Sequence, residues 1–259
     1  MTSAIYSHPR YYDIAFGFVN IPEQVDLFER YIAAYSRTPV RTVLDLCCGP
    51  APQLREFVRR GYRALGVDLC PEALDYAREA AAAENVAIET LLADVTDFAL
   101  AEPADFAFNL MGSIAYVGDN AGMLAHLSAV AAALRPGGLY LIENLASDWS
   151  SPLTWAPQSW RMERDGITVH STYQVKPREV LAQTVDFSLE MQIDDHGHPL
   201  HLVERQPLKL YFPREFASLV ETHGAFEFLG YFERYDTKIL QDFHSDHNAL
   251  LRKRLAFNA

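Results

Sequence analysis

The chain has 259 residues, of which 49% are hydrophobic and 22% charged, with 34 acidic against 22 basic side chains and a formal charge of -12. That length suits one large domain, or one domain with a substantial insertion, and the balance excludes whole-chain disorder, collagen and coiled coil. The acidic excess, without a Lys/Arg cluster, argues against a nucleic-acid partner, whose phosphates call for a basic surface.

Three unevenly spaced cysteines, Cys47, Cys48 and Cys70, point to a reducing compartment rather than a disulfide framework. The opening MTSAIYSHPRYYD has neither a charged leader nor an apolar run, so it does not read as a signal peptide. No stretch approaches the roughly 20 apolar residues of a membrane span. A cytoplasmic protein with no membrane partner is expected.

Residues 22–35 place Val25, Phe28, Ile32 and Tyr35 on one face, the pattern of an amphipathic helix. Residues 42–47 (TVLDLC) form a short apolar run ending near an acid, which predicts a buried strand. A helix from Pro52 to Arg60 follows, stopped by Gly61. Residues 64–69 predict a second strand, and Pro71 opens the next helix near its first turn. Further strands are expected over 86–95, 104–111 and 139–145, with a helix over 119–134 before the last. Five alternations of strand and helix mean an α/β fold, a doubly wound, mostly parallel sheet with helices on both faces.

After residue 150 the period changes. Residues 184–194 alternate strictly, with Val185, Phe187, Leu189, Met191 and Ile193 to one side and polar residues to the other. That is a strand with one buried and one wet face. Asp165–Gly166 and residues 194–199 carry turn signals, and 167–175 and 208–212 supply partner strands. Residues 150–212 thus read as an antiparallel β insertion, which could set substrate specificity or pair across a homodimer. Pro213 to His223 returns to helix, 226–236 rejoins the main sheet, and 240–259 reads as a helical tail. The divisions expected are a cofactor-binding core with an N-terminal helical lid (1–149), the insertion (150–212), and the return to the core with the tail (213–259).

Ligands in doubly wound sheets sit beyond the carboxyl ends of the strands. Here the first four strands close on Asp45, Asp68, Asp94 and Asn109. An acid after the second strand suits ribose hydroxyls, and the turn after the first offers backbone N–H groups and a helix N-terminus. In this order and spacing, VLDLCCGPA, GVDLCPEAL, LLADVTDF and LRPGGLYLIE resemble the motif set of class I S-adenosylmethionine-dependent methyltransferases. The opening HPRYYDIAFGF resembles bacterial small-molecule methyltransferases, among them N-methyltransferases of sugars and amino acids, which also carry a late antiparallel insertion.

The resemblance implies a Rossmann-like, seven-stranded-type sheet. It implies S-adenosylmethionine as cofactor, S-adenosylhomocysteine as product and a small-molecule acceptor methylated on N or O. It assigns Asp45, Cys47 and Gly49 to the loop beside the methionine moiety and Asp68 to the ribose, with Leu69 against the adenine. Asp94 and Val95 would contact the adenine, Asn109 and Met111 would flank the cofactor near its methyl group, and Tyr11 would close the pocket. Where the family loop reads Gly-x-Gly-x-Gly, this chain has Cys47 and Ala51 in the outer positions. Those departures leave a second reading open, a catalytically silent or regulatory protein on the same fold, and the fold also hosts non-methylating enzymes.

Other residues have two readings. Tyr116 could orient a nucleophile or relay its proton, or simply pack. Trp149, Trp155 and Trp160 could wall a substrate pocket or seat the insertion on the core. The histidines at 196, 198 and 201, and those at 244 and 247 on the expected tail helix, lack metal-site spacing. No metal site is expected.

Overall fold

The computed structural model describes residues 4–146, 156–244 and 246–255. A short helix α1 (Pro9–Ala15) and the amphipathic α2 (Ile21–Tyr35) precede the first strand. Asn20 caps α2 by accepting from the Glu23 N–H, as a short polar side chain does at a helix start.

Strands β1 (Thr42–Leu46), β2 (Arg63–Asp68), β3 (Glu89–Leu92), β4 (Ala104–Asn109) and β5 (Leu134–Glu143) alternate with α3 (Pro52–Arg59), α4 (Pro71–Ala83) and α5 (Asn120–Ala133). After α6 (Pro213–His223) come β10 (Phe226–Glu233) and β11 (His247–Lys253). The seven strands lie in the order β10-β11-β5-β4-β1-β2-β3. Only β11 runs against its neighbours, antiparallel to both β10 and β5. This is a Rossmann-like, mostly parallel sheet.

The buried core divides between the two faces. One holds Phe28 and Tyr31 of α2, Leu54 and Phe57 of α3, and Leu74 and Ala77 of α4. The other holds Met123 and Leu127 of α5 and Phe216 and Val220 of α6. Phe28, Phe57, Phe106 and Phe108 form one aromatic cluster with ring centroids 5.3–6.3 Å apart. Each ring buried this way contributes about 1.5–3 kcal/mol over its exposed state.

A second, four-stranded antiparallel sheet is built from β6 (Gln158–Arg164), β7 (Ile167–Glu179), β8 (Thr184–Asp195) and β9 (His198–Lys209), paired in sequence order. The apolar row of β8 is buried as the alternation requires. Its cover comes from within the chain: Phe187, Leu189, Met191 and Ile193 form a third core with Ile5, Ile14 and Ala15 of the N-terminal segment. Trp160 donates its indole N–H to the Ala15 carbonyl at 2.7 Å and meets Phe16, so it seats this sheet on α1. Trp149 and Trp155 lie outside the described residues.

Four expectations need correction. The tail is not helical: β11 inserts between β10 and β5, and its first six residues are all buried. Its apolar run is only Ala249, Leu250 and Leu251, flanked by His247, Asn248 and Arg252, which are buried too, and so short a run cannot be told from a helix by periodicity. His247 therefore opens a strand, its ring buried and its Nδ1 donating to the His244 carbonyl at 3.0 Å. The partner of β8 is β9, 198–209, rather than 208–212. Pro199 and Pro207 disguise β9, and they are tolerated because it is an edge strand. Strand β6 is the other edge and mostly exposed, so its sequence carries no apolar row. Finally, β3 spans four residues, not ten, because its pairing with β2 stops at Leu92.

Candidate functional site

Chain order reverses at β1. Strands β1, β2 and β3 proceed to one side, and β4 returns to the other side of β1. A crevice opens at such a switch point beyond the strand ends. Here it is a cavity of about 800 Å³, lined from the β1–α3 turn, the end of β2, the loop after β3, the loop after β4, α1, and Gln206 of β9. That volume lies within the range of sites that bury a cofactor-sized ligand, about 300–1,000 Å³.

Asp68 organises the entrance. Its Oδ2 accepts the Gly49 N–H at 2.8 Å and its Oδ1 the Cys70 N–H at 2.9 Å. One carboxylate thus ties the β1 turn to the β2 turn. Of its roughly four lone-pair sites, at least one remains beyond its backbone donors, and the residue lines the cavity. Burial raises its proton affinity, offset by the backbone donors of Cys70, Gly49 and Leu69. Asp45 also lines the cavity at 3% exposure, and burial together with the nearby Asp68 pushes its carboxyl well up. A cationic group beside it would reverse that cost.

The turn between them is strained where the sequence departs from glycine. Cys47 has φ 61° and Ala51 φ 52°, both left-handed, as is Gly49 at 49°. A non-glycine residue there costs about 1–2 kcal/mol. The Cys47 thiol lines the cavity, and burial, then Asp68 and Asp45, push it far above the usual thiol range. It is held protonated and unreactive. Cys48 is a buried packing residue against Gly66.

Leu69, 68% exposed, lines the cavity, as do Ala93 and Val95. Asp94 lines the cavity, but its Oδ1 is committed to the Thr96 N–H and hydroxyl, so it also caps its own turn. Val95 is pinned from behind. His126 Nδ1 donates to the Val95 carbonyl at 2.9 Å, and its Nε2 accepts from the Tyr140 hydroxyl at 2.7 Å.

Asn109 and Met111 separate in the structure. Asn109 is fully buried and does not line the cavity; its amide donates to the Leu46 carbonyl at 2.7 Å, locking β4 to β1 beneath the floor. Met111 does line it, with a left-handed backbone and an N–H donated at 2.8 Å to Glu143, which also holds Arg234. Strand β4 fixes both positions: the Asn109 amide turns to Leu46 and Cys47 at the end of β1, and Met111 in the turn beyond lines the cavity.

Tyr11 does not line the cavity; its hydroxyl donates to Asp195 in the β8–β9 hairpin at 2.8 Å. The lining residues of this segment are Pro9, Tyr12, Asp13 and Phe16. Their spacing of three, four and seven is one helical face, and that signal in the sequence would have chosen Tyr12. Two more lining residues escaped the sequence reading, Tyr6 and Gln206. Tyr6 precedes the helix, and Gln206 sits on the strand that its prolines hid.

These two meet Tyr116. The Tyr6 and Tyr116 hydroxyls lie 2.7 Å apart, and Gln206 donates to the Tyr116 oxygen. Gln206 is itself steadied by Glu204, whose Oε1 accepts from its amide at 2.9 Å. Burial pushes Tyr116 up to about 12 and Tyr6 well above the usual phenol range. Both hydroxyls keep their protons at neutral pH. Among the described residues, no three His, Cys, Asp or Glu side chains cluster to hold a metal. His201 instead pairs with Glu190 at 2.7 Å.

Comparisons with known proteins agree with this geometry. Residues 43–138 match a family model described as a methyltransferase domain. The chain is similar to a ubiquinone biosynthesis O-methyltransferase of Xanthomonas campestris, 28% identical over 166 residues, 62% of this chain and 68% of the relative. It is similar to a dTDP-3-amino-3,4,6-trideoxy-alpha-D-glucopyranose N,N-dimethyltransferase of Streptomyces venezuelae, 29% identical over 140 residues, 52% of this chain and 55% of that one. In fold it is similar to an S-adenosylmethionine-dependent methyltransferase of Clostridium acetobutylicum, with TM-score 0.78 at 15% identity, covering 94% of this chain and 96% of the other.

Proposed function

We propose that this chain, an enzyme of the class I S-adenosylmethionine-dependent methyltransferases, transfers the methyl group to a nitrogen or oxygen of a small acceptor by direct displacement. One observation carries the reading. A single cavity is lined both by the Asp68 carboxylate that binds two turns and by a neutral hydroxyl pair, Tyr6 and Tyr116.

When bound, the cofactor supplies a methyl group already made electrophilic by its sulfonium. The residues present fit such a group. Asp68 has acceptor capacity left for a ribose hydroxyl, and Leu69 and Val95 offer apolar cover to a flat base. Asp94 is placed for an exocyclic amine. Asp45, with Cys47 and Gly49, would hold the methionine end, where an ammonium would offset the burial of the Asp45 carboxyl. Met111 would stand near the transferred methyl, with Asn109 acting indirectly by fixing the strand end. Tyr116, Tyr6 and Gln206 then face the acceptor. Their task is orientation, since alignment of the reacting atoms alone can supply about 7–11 kcal/mol. Tyr12 and Phe16 of α1 cover the site against water. Residues 1–149 would be the cofactor-binding part, 150–212 the acceptor-defining part and 213–259 the completion of the core.

The experiment is label transfer. The protein is incubated with S-adenosylmethionine carrying an isotopic methyl and a small-molecule extract, and products are read by mass. A labelled methylated small molecule supports the reading. Cofactor binding without label leaving it, across extracts of several origins, would move the chain to the silent reading that Cys47 and Ala51 first raised.

A further inference from the structure

We propose that Gln206 is a specificity-determining residue whose polarity is set by Glu204: the buried carboxylate turns the Gln206 amide so that its carbonyl oxygen, not its N–H groups, is offered to the ligand in the cavity. The role of that ligand as methyl acceptor rests on the methyltransferase reading above. Glu204 acts through Gln206 and is a positioning residue.

Strand β9 breaks its own alternation at this point. Leu202, Glu204, Gln206 and Leu208 share one face of the strand. Leu202 and Leu208 join the apolar core beneath the four-stranded sheet. Glu204, opposite Leu189, and Gln206, opposite Phe187, stand in the same row. Glu204 is only 7% exposed. A charge placed in an apolar face is costly unless its partners compensate it. Its recorded partner is the Gln206 amide, which donates to Oε1 at 2.9 Å. Gln206 lines the cavity beside Tyr116, whose ring meets Phe187 at 6.3 Å.

A carboxylate can only accept. It therefore decides which end of the amide faces it, because the reversed amide would bring two oxygens together, one of them charged. The last torsion of a glutamine is broad and roughly two-fold, so a neutral neighbour would admit both orientations, and these show a ligand opposite polarities. Here the nitrogen gives one proton to Glu204 and the other to the Tyr116 oxygen. The carbonyl oxygen is what the amide has left to offer. Glu204 also raises the proton affinity of Tyr6 and Tyr116, which keeps the neighbouring hydroxyls neutral. A ligand that brings a donor to this carbonyl pairs it. An isostere without the donor leaves a desolvated oxygen unpaired, and a site built for a hydrogen bond rejects such an analogue.

The test has a ligand-free arm and a ligand arm. In protein isotopically labelled at its glutamine side-chain nitrogens, the Gln206 signals are identified by their absence in Gln206→Leu. Both amide protons should exchange with solvent at least about tenfold more slowly in wild type than in Glu204→Gln, which keeps the size of the side chain and removes its charge. Equal exchange overturns the orienting role of Glu204. The complex with S-adenosylhomocysteine is then titrated with phenol and with anisole, probes of similar shape of which only phenol donates. Wild type should prefer phenol about tenfold, the worth of one hydrogen bond. The preference should vanish in Gln206→Leu and fall in Glu204→Gln. Indifference in wild type, a preference that survives Gln206→Leu in full, or binding of neither probe overturns the proposal. Failure of wild type to bind S-adenosylhomocysteine would instead defeat the methyltransferase reading, and the ligand-free arm would still decide the amide.

Discussion

Acid should weaken this fold through one buried imidazole. His126 on α5 is 0% exposed, with Nδ1 donating to Val95 and Nε2 accepting from Tyr140. The bond from Tyr140 needs the neutral ring, because a proton on Nε2 would confront that hydroxyl; the donation to Val95 favours the charged ring, but burial outweighs it. Burial lowers the ring from the ordinary 6.5 to about 4. The native state therefore resists a proton that the unfolded chain takes up near pH 6.5. Above that pH the neutral ring's contribution is fully present. Between pH 6.5 and 4 the unfolded state binds one proton more, so stability falls by up to about 1.4 kcal/mol per pH unit. Below pH 4 this contribution levels off. Integrated over the interval, the loss is about 3 kcal/mol, a large part of the stability of an ordinary domain. Urea unfolding of wild type and His126→Gln across pH 4–7 isolates it, since other titrating groups cancel in the difference. Wild type should lose about 3 kcal/mol relative to the variant as pH falls. The ring resonances of His126 should show no titration above about pH 5. A flat difference, or a ring that titrates near 6.5, would refute the reasoning.

Two substitutions probe the site's support and its hydroxyl pair. A Cβ added at Gly66 would lie 2.6 Å from Cys48 Sγ and 3.0 Å from Leu54. Gly66→Ala should thus cost about 1–3 kcal/mol, seen as a fall in Tm of about 2–4 °C for each kcal/mol. Adding Cys48→Ala should restore most of it, and simple additivity of the two would show that the contact is not the cause. Tyr116→Phe removes the partner of Tyr6 and Gln206. It should raise the acceptor KM about tenfold, the worth of one hydrogen bond near 1.4 kcal/mol, and leave cofactor affinity within about twofold. Steady-state kinetics beside calorimetry separates the two effects.

How far the sequence spoke for the structure depended on what each segment buries. The parallel core was legible because β1, β2 and β4 are short apolar runs closed by polar residues, and those closures mark the cavity. Strand β8 was legible because one of its faces is wet. Strand β11 was not, since its apolar run is three residues long and its buried His247, Asn248 and Arg252 read as surface residues. Edge strands β6 and β9 were hidden by exposure and by Pro199 and Pro207. In the site, the loop residues Asp45, Cys47, Gly49, Asp68, Leu69, Asp94, Val95 and Met111 all line the cavity. A motif fixes which turn a residue occupies but not which way its side chain points. The Asn109 amide turns to the end of β1, and Tyr11 is one helical step from the face that Tyr12 occupies. Gln206 and Tyr6 reach the site only through tertiary packing, which no local pattern records. The left-handed angles at Cys47 and Ala51 are the structural counterpart of a departure visible in the sequence. The loop keeps the shape that glycine favours and bears the strain of keeping it.

The account stands most directly on Asp68, the carboxylate that joins two turns and faces the cavity. Calorimetric titration of the full chain with S-adenosylmethionine, beside Asp68→Ala, tests it. A charge-assisted hydrogen bond contributes about 1.5–3 kcal/mol, so the variant should bind at least about tenfold more weakly than wild type, while circular dichroism confirms that it stays folded. A folded variant that binds the cofactor as tightly as wild type would contradict the placement of the cofactor in this cavity.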